Sequence, residues 1–201
     1  MTGQGAALGT DAAQALARSG RVRTDPGLTP RELAAVERRF GIALADDHAA
    51  FLAAALPLGA HWPDWRSGDP ADLVERLAAP VGGVLFDVEH NDWWYPHWPP
   101  RPDGAGAALA LAARLLATVP RLVPVYGHRY LPAGRGPGGH AVLSVHQTDL
   151  IVYGDDLADY VHREFGPAPG SGAPGSGAPE PSPRPRTRPE VTVAFWRDLV
   201  G

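Results

Sequence analysis

The residues best suited to chemistry in this chain are imidazoles and carboxylates in two stretches. Glu89, His90, Asp92 and His97 lie in GVLFDVEHNDWWYPHW, and His128 and His146 lie further on. Such groups can ligate zinc or iron, and His90, Asp92, His97 and His128 could be assembled into a metal-dependent hydrolase. Their spacing argues against it. There is no H-E-x-x-H, no helical pair of histidines at i and i+4, and no His-x-His on a strand, so neither a metal nor another cofactor is expected. A glycosidase-type pair could be drawn from Glu89, Asp92 and Asp149, but only their separation would decide it. Nucleophilic catalysis has little to work with: no cysteine, no G-x-S-x-G, and Ser144 in a strand-like run with Ser67 in a loop. Gly134 to Gly139 spells G-x-G-x-x-G. A phosphate cradle needs a helix N-terminus directly afterwards. Here Ala141 to Val145 reads as a strand, and Pro137 lacks an amide hydrogen, so the loop is expected to be a hairpin connection. The expectation is a protein that is not an enzyme.

Binding is better supplied. Trp62, Trp65, Trp93, Trp94, Tyr95, Trp98, Tyr126 and Tyr130 are concentrated in irregular, proline-flanked segments. Tyr, Trp and Arg are the side chains that dominate interface hot spots. Glu89, Asp92, Asp149, Asp155 and Asp156 would make such a face acidic. The candidate partner-binding residues are therefore Glu89, Asp92, Trp94, His97, Trp98, Tyr126, His128 and Tyr130.

The chain must then build elements to hold them. It has 201 residues, 44% of them hydrophobic, which suits one ordinary domain with appendages. Its 24 glycines, 22 prolines and wholly arginine positive charge read as GC-rich coding. The net charge of -4 disfavours a nucleic-acid or anionic-membrane binder. No apolar run approaches a membrane span, and the first residues lack a signal peptide's basic start and apolar core. A cytoplasmic monomer is expected.

Residues 1–27 read as an N-terminal extension, disordered through residue 9, with a short helix from Thr10 or Asp11 to Arg18. A domain is expected over 28–166. Thr29-Pro30-Arg31-Glu32 is a capping box that opens a helix stopped by Gly41. Asp46 or Asp47 caps a second helix that carries Phe51, Leu52 and Leu56 inward. Asp69-Pro70 opens a short helix through Leu77, and Asp103 opens another before Pro120. From Leu122 to Phe165 two or three strands and a helix are expected. Alternation there puts Leu122, Pro124, Tyr126, His128 and Tyr130 on one face and Val123, Val125 and Leu131 on the other. Residues 167–190 form a Pro/Gly-rich linker, expected to be disordered, and 191–201 an aromatic segment that docks back on the domain.

Three pieces together resemble the SUKH superfamily, which includes bacterial toxin-immunity proteins and fungal regulators of cell-wall synthesis. They are LTPRELAAVERRFGIALADDHAAFL, GVLFDVEHNDWWYPHW, and PVYGHRYLP followed by VLSVHQTDLIVYGDDLADYV; FWRDLV is similar to a family ending. His146 departs from the pattern, standing where an aromatic residue is expected. The resemblance implies an α+β fold with a mixed, mostly antiparallel sheet flanked by helices, and no catalytic chemistry. It implies a protein partner, a polymorphic toxin domain occluded by a polar and aromatic cleft. A housekeeping regulator or scaffold of the same fold is the alternative.

Overall fold

The computed structural model describes residues 3–136, 138–166 and 193–201. The linker expected over 167–190 lies outside the described residues.

Helix α1 (Gly3–Ser19) begins well before the expected cap at Thr10 or Asp11. Its glycines and alanines are a contact surface: Gly5, Gly9, Ala12, Ala13, Ala15 and Leu16 are buried. A Cβ on Gly9 would lie 2.1 Å from the Asp47 carbonyl oxygen and 2.7 Å from the Phe51 nitrogen. Glycine costs a helix about 1 kcal/mol, but here it permits backbone-to-backbone approach that no other residue could make. Gly3 to Ser19 thus pack as part of the fold. Strand β1 (Arg23–Pro26) follows and leads into α2 (Pro30–Phe40). The expected capping box closes both ways: Glu32 N donates to Thr29 Oγ1, and Thr29 N to Glu32 Oε2. Gly41 ends the helix at φ 60°.

Helix α3 (Asp46–Ala54) starts from Ala45 with no side-chain cap. Asp46 and Asp47 lie instead inside its buried first turn. The Asp47 carboxylate accepts from the His48 and Gly139 amides, tying α3 to the loop after β4 (Arg129–Pro132). The chain leaves α3 directly into β2 (Ala55–Leu58), which pairs antiparallel with β1, so Leu56 is inward on a strand and not on a helix.

Helix α4 (Pro70–His90) opens at the predicted Asp69 cap but runs far past Leu77, through Pro80. Proline inside a helix leaves the carbonyl four residues earlier without its partner. That carbonyl belongs to Arg76, and the Tyr130 hydroxyl donates to it at 3.1 Å. Helix α5 (Ala105–Leu116) then returns beside α4.

Strands β3 (Leu122–Tyr126), β4, β5 (Val142–His146) and β6 (Asp149–Gly154) form an antiparallel meander in that order. Helix α6 (Leu157–Phe165) follows, capped by Asp156. A lone parallel bridge joins Leu150 to Val200. The sheet is covered on both faces over β3 to β5, while Ile151 of β6 is exposed. Val123, Val125, Leu131 and Val142 join one core with α1, α3 and α6. Leu122, Tyr130, Leu143, Val145 and Leu150 join a second with Val84, Leu116 and Trp196. The architecture is an α+β single-domain fold.

The run from Leu122 to Leu131 is a hairpin, not one alternating strand. Pro124 pairs with Tyr130 and Tyr126 with Arg129, with the turn at Gly127 and His128. Tyr126, His128 and Tyr130 therefore do not share a face.

Candidate functional site

The site is best built from the end of α4. Gly83 lies so close to the β5–β6 turn that an added Cβ would stand 2.8 Å from the Gln147 Cα. This seats α4 on the hairpin and brings Asp87, one turn later, against it. One Asp87 carboxylate oxygen accepts from the Asn91 amide at 2.6 Å. The other accepts from Thr148 N and Oγ1 at 2.9 and 2.7 Å. Burial alone would raise the Asp87 carboxyl, but these hydrogen bonds outweigh it and its pKa is lowered. Asp87 is thus a charged clamp holding the helix end, the hairpin turn and the following loop. Asp92 then turns the chain at φ 52°, a conformation aspartate tolerates better than most residues.

The loop after α4 has no regular structure, yet it is cross-linked along its length. Arg101 donates to the Val88 carbonyl at 2.9 Å, stands 3.5 Å from Asp92, and lies over the Trp94 ring at 5.7 Å. Trp94 Nε1 donates to the Pro99 carbonyl at 2.9 Å. Trp98 meets Trp93 and Trp94 edge-on, with ring centroids 5.7 and 5.0 Å apart. From the far end of the chain, Phe195 stacks on Trp98 at 6.0 Å with planes 11° apart. Phe195 holds φ 70°, which a bulky residue adopts only when its surroundings fix it. The Tyr95 hydroxyl donates to Asp198. Burial, then Asp198, pushes the Tyr95 phenol up to about 12, and the Tyr95 bond, then Arg197, lowers the Asp198 pKa. Trp196 is fully buried and donates to the Pro120 carbonyl, anchoring this segment.

What reaches solvent is a rigid patch: Asp92 and His97 exposed, Trp94 and Trp98 half-buried. Glu89 is exposed one turn earlier, where it borders a groove between α4 and α5 with Phe86 and Leu109. The structure therefore brings together Asp92, Trp94, His97 and Trp98, with Glu89 adjoining. It separates the other three candidates. Tyr126 packs on the opposite side of the sheet against Trp62 and Phe165, with centroids 4.8 and 5.3 Å away. His128 lies at the hairpin turn, where partial desolvation, then Arg129 and His146, lowers its pKa. Tyr130 is buried beneath α4.

Asp87, Arg101, Thr148 and Asp198 hold the patch in place, and sequence reasoning did not select them. Asp87 carried one available signal, a carboxylate within the last turn of an apolar helix. Among the described residues no group of three or more His, Asp or Glu side chains could hold a metal ion, so the hydrolase constellation is not assembled there. No helix among them is long and apolar enough to cross a membrane. Comparison with protein-family models, curated proteins and solved structures finds no match.

Proposed function

We propose that this chain is a non-enzymatic protein-binding module of the immunity type, which neutralises a toxin domain by occluding it through the Asp92–Trp98 patch. The observation that carries the reading is the preorganisation of that patch. An irregular loop is fixed by Asp87, Arg101 and Phe195 so that two half-exposed indoles and an acid are presented without further ordering. Side chains already held in place lose little entropy on association, and buried tryptophans are typical anchors. The excess negative charge suits a basic partner, as toxins acting on nucleic acid often are. The three motifs that resemble the SUKH superfamily, together with the α+β architecture, also support this reading.

The test is co-expression with a toxin domain encoded beside the gene, scored by cell survival. Wild type should protect. Asp92→Arg combined with Trp94→Ala should lose protection while the domain stays folded by circular dichroism. Full protection by that variant would remove the patch from the function. A locus with no toxin gene would favour the regulatory alternative.

A further inference from the structure

Helix α5, AGAALALAARLL, carries one charge and is apolar around its whole circumference. A helix of that kind is normally covered on all sides, yet only Ala108, Ala112 and Leu116 are buried. Its neighbour α4 matches it. Beyond its buried stripe of Leu73, Pro80, Val84 and Val88, it carries exposed Val74 and Ala78, with Val81 and Leu85 half-buried between the second core and the groove. Val74 is 55% exposed and Phe86 45%, two of the three large exposed hydrophobic side chains among the described residues. Between the helices lies a groove of about 650 Å³, which continues past Gly82, Leu85 and Ala113 into a second of about 540 Å³. A Cβ added at Gly82 or Gly106 would meet nothing within 4 Å, so these glycines face open space. The groove is charged oppositely at its two ends. Arg39 and Arg121 line the end near Val74 and no acid does. Glu89 lines the end near Phe86 and no base does.

We propose that this face is a homodimer interface, two copies packing α4–α5 against α4–α5 antiparallel about a two-fold axis. A two-fold contact requires a self-complementary surface. Turning one copy end over end sets the arginine end of each against Glu89 of the other, so the charge polarity of the groove favours a second copy in this orientation. The small residues Ala78, Gly82, Ala110 and Ala113 let the helices approach closely. The face runs about 22 Å along α4 and is about 20 Å wide. It would bury on the order of 900 Å² in total, the size of a weak, reversible contact. The Trp94 and Trp98 patch lies beside this face and stays open, so the inference stands independently of the proposed function. It departs from the monomer expected at the outset.

Sedimentation velocity on the full chain from about 1 µM to 1 mM tests it. Reversible dimerisation with a Kd of about 10–100 µM is expected, weakening with salt. Gly82→Trp should abolish it without altering the melting temperature or circular dichroism, and Ala78→Glu should do the same. Arg39→Glu and Glu89→Arg should each weaken self-association about tenfold. Mixed together, these two should form a heterodimer tighter than either homodimer, since both symmetry-related contacts become oppositely charged. Asp92→Arg with Trp94→Ala should leave dimerisation unchanged. A chain monomeric to 1 mM would overturn the proposal and leave the groove to a helix of another protein. Dimerisation unaffected by Gly82→Trp, or no preference in the mixture, would overturn this arrangement.

Discussion

On one side of the four-stranded sheet, α1 and α6 turn apolar residues inward and present Gln4, Asp11, Gln14, Arg18 and Arg163 to water. On the other side, α4 lies on the sheet with α5 beside it, and among Asp72, Glu75, Glu89, His90 and Arg114 their outer surface also exposes Val74, Ala78, Phe86, Ala110 and Ala113. Both layers cover a core, and only the first is finished as a surface. Glycine marks the same contrast. Gly9 of α1 is enclosed by α3; on α4, Gly83 is enclosed by the β5–β6 turn while its neighbour Gly82 faces open space. In the proposed dimer, Gly82, open among apolar residues, marks the layer that associates, and Gly9, closed against α3, marks the layer that stabilises.

The comparison can be broken first at the second core. Trp196→Ala removes its largest buried side chain and strands the Pro120 carbonyl. A loss of about 3–5 kcal/mol is expected in chemical denaturation. A loss under about 1 kcal/mol would mean that the second core does not depend on this segment. Next, Gly9→Val should cost about 3 kcal/mol or more, because its Cβ would collide with α3 backbone. The far larger Gly82→Trp should change stability by no more than about 0.5 kcal/mol. Equal costs at the two positions would erase the distinction between the layers.

The smallest effect sharpens the first layer's buried polar content. Burial holds the His48 pKa at about 4, below its ordinary 6.5, and its Nδ1 has no partner. The unfolded chain takes up this proton below pH 6.5 while the folded chain stays neutral until about pH 4. Stability is therefore lost as pH falls through that window, by about 2 kcal/mol at pH 5 and about 3 at pH 4. The neighbouring Asp47, its pKa raised first by burial, acts in the opposite direction. Comparing wild type with His48→Leu isolates the histidine. The variant should flatten the profile between pH 6.5 and 4, and an unchanged slope would exclude His48 as its source.

Where local chemistry decides structure, sequence sufficed. The α2 capping box, its Gly41 stop and the Asp69 cap formed as expected, while the two or three strands read after Leu122 proved to be four. Where a distant partner decides, it did not. Pro80 would normally end a helix, but Tyr130 satisfies the orphaned carbonyl from 54 residues away. The same bond takes Tyr130 out of the candidate site. The two-residue turn at Gly127 and His128 sets Tyr126 opposite Arg129 and reverses the alternation, and the register shift between Pro124 and Tyr126 reverses it back, so the hairpin reads as one strand and Tyr126 is wrongly aligned with Tyr130. Gly5 and Gly9 look disordered until α3 is placed against them. Asp92, Trp94, His97 and Trp98 were legible because they are close in sequence. Asp198, more than 100 residues from Tyr95, was not.

The segment that completes the second core, Val193 with Phe195 and Trp196, is translated after every residue it packs upon. During synthesis the ribosome therefore releases the sheet with its second face still lacking three apolar side chains. For that interval the nascent chain displays a sticky surface, and chaperones that recognise exposed aromatic and aliphatic groups would have their longest access there. A stop codon placed just before Val193 would make the interval permanent. The second core can therefore close only once Trp196 has been made, and a chain cut before Val193 would leave that face of the sheet without three of its apolar side chains.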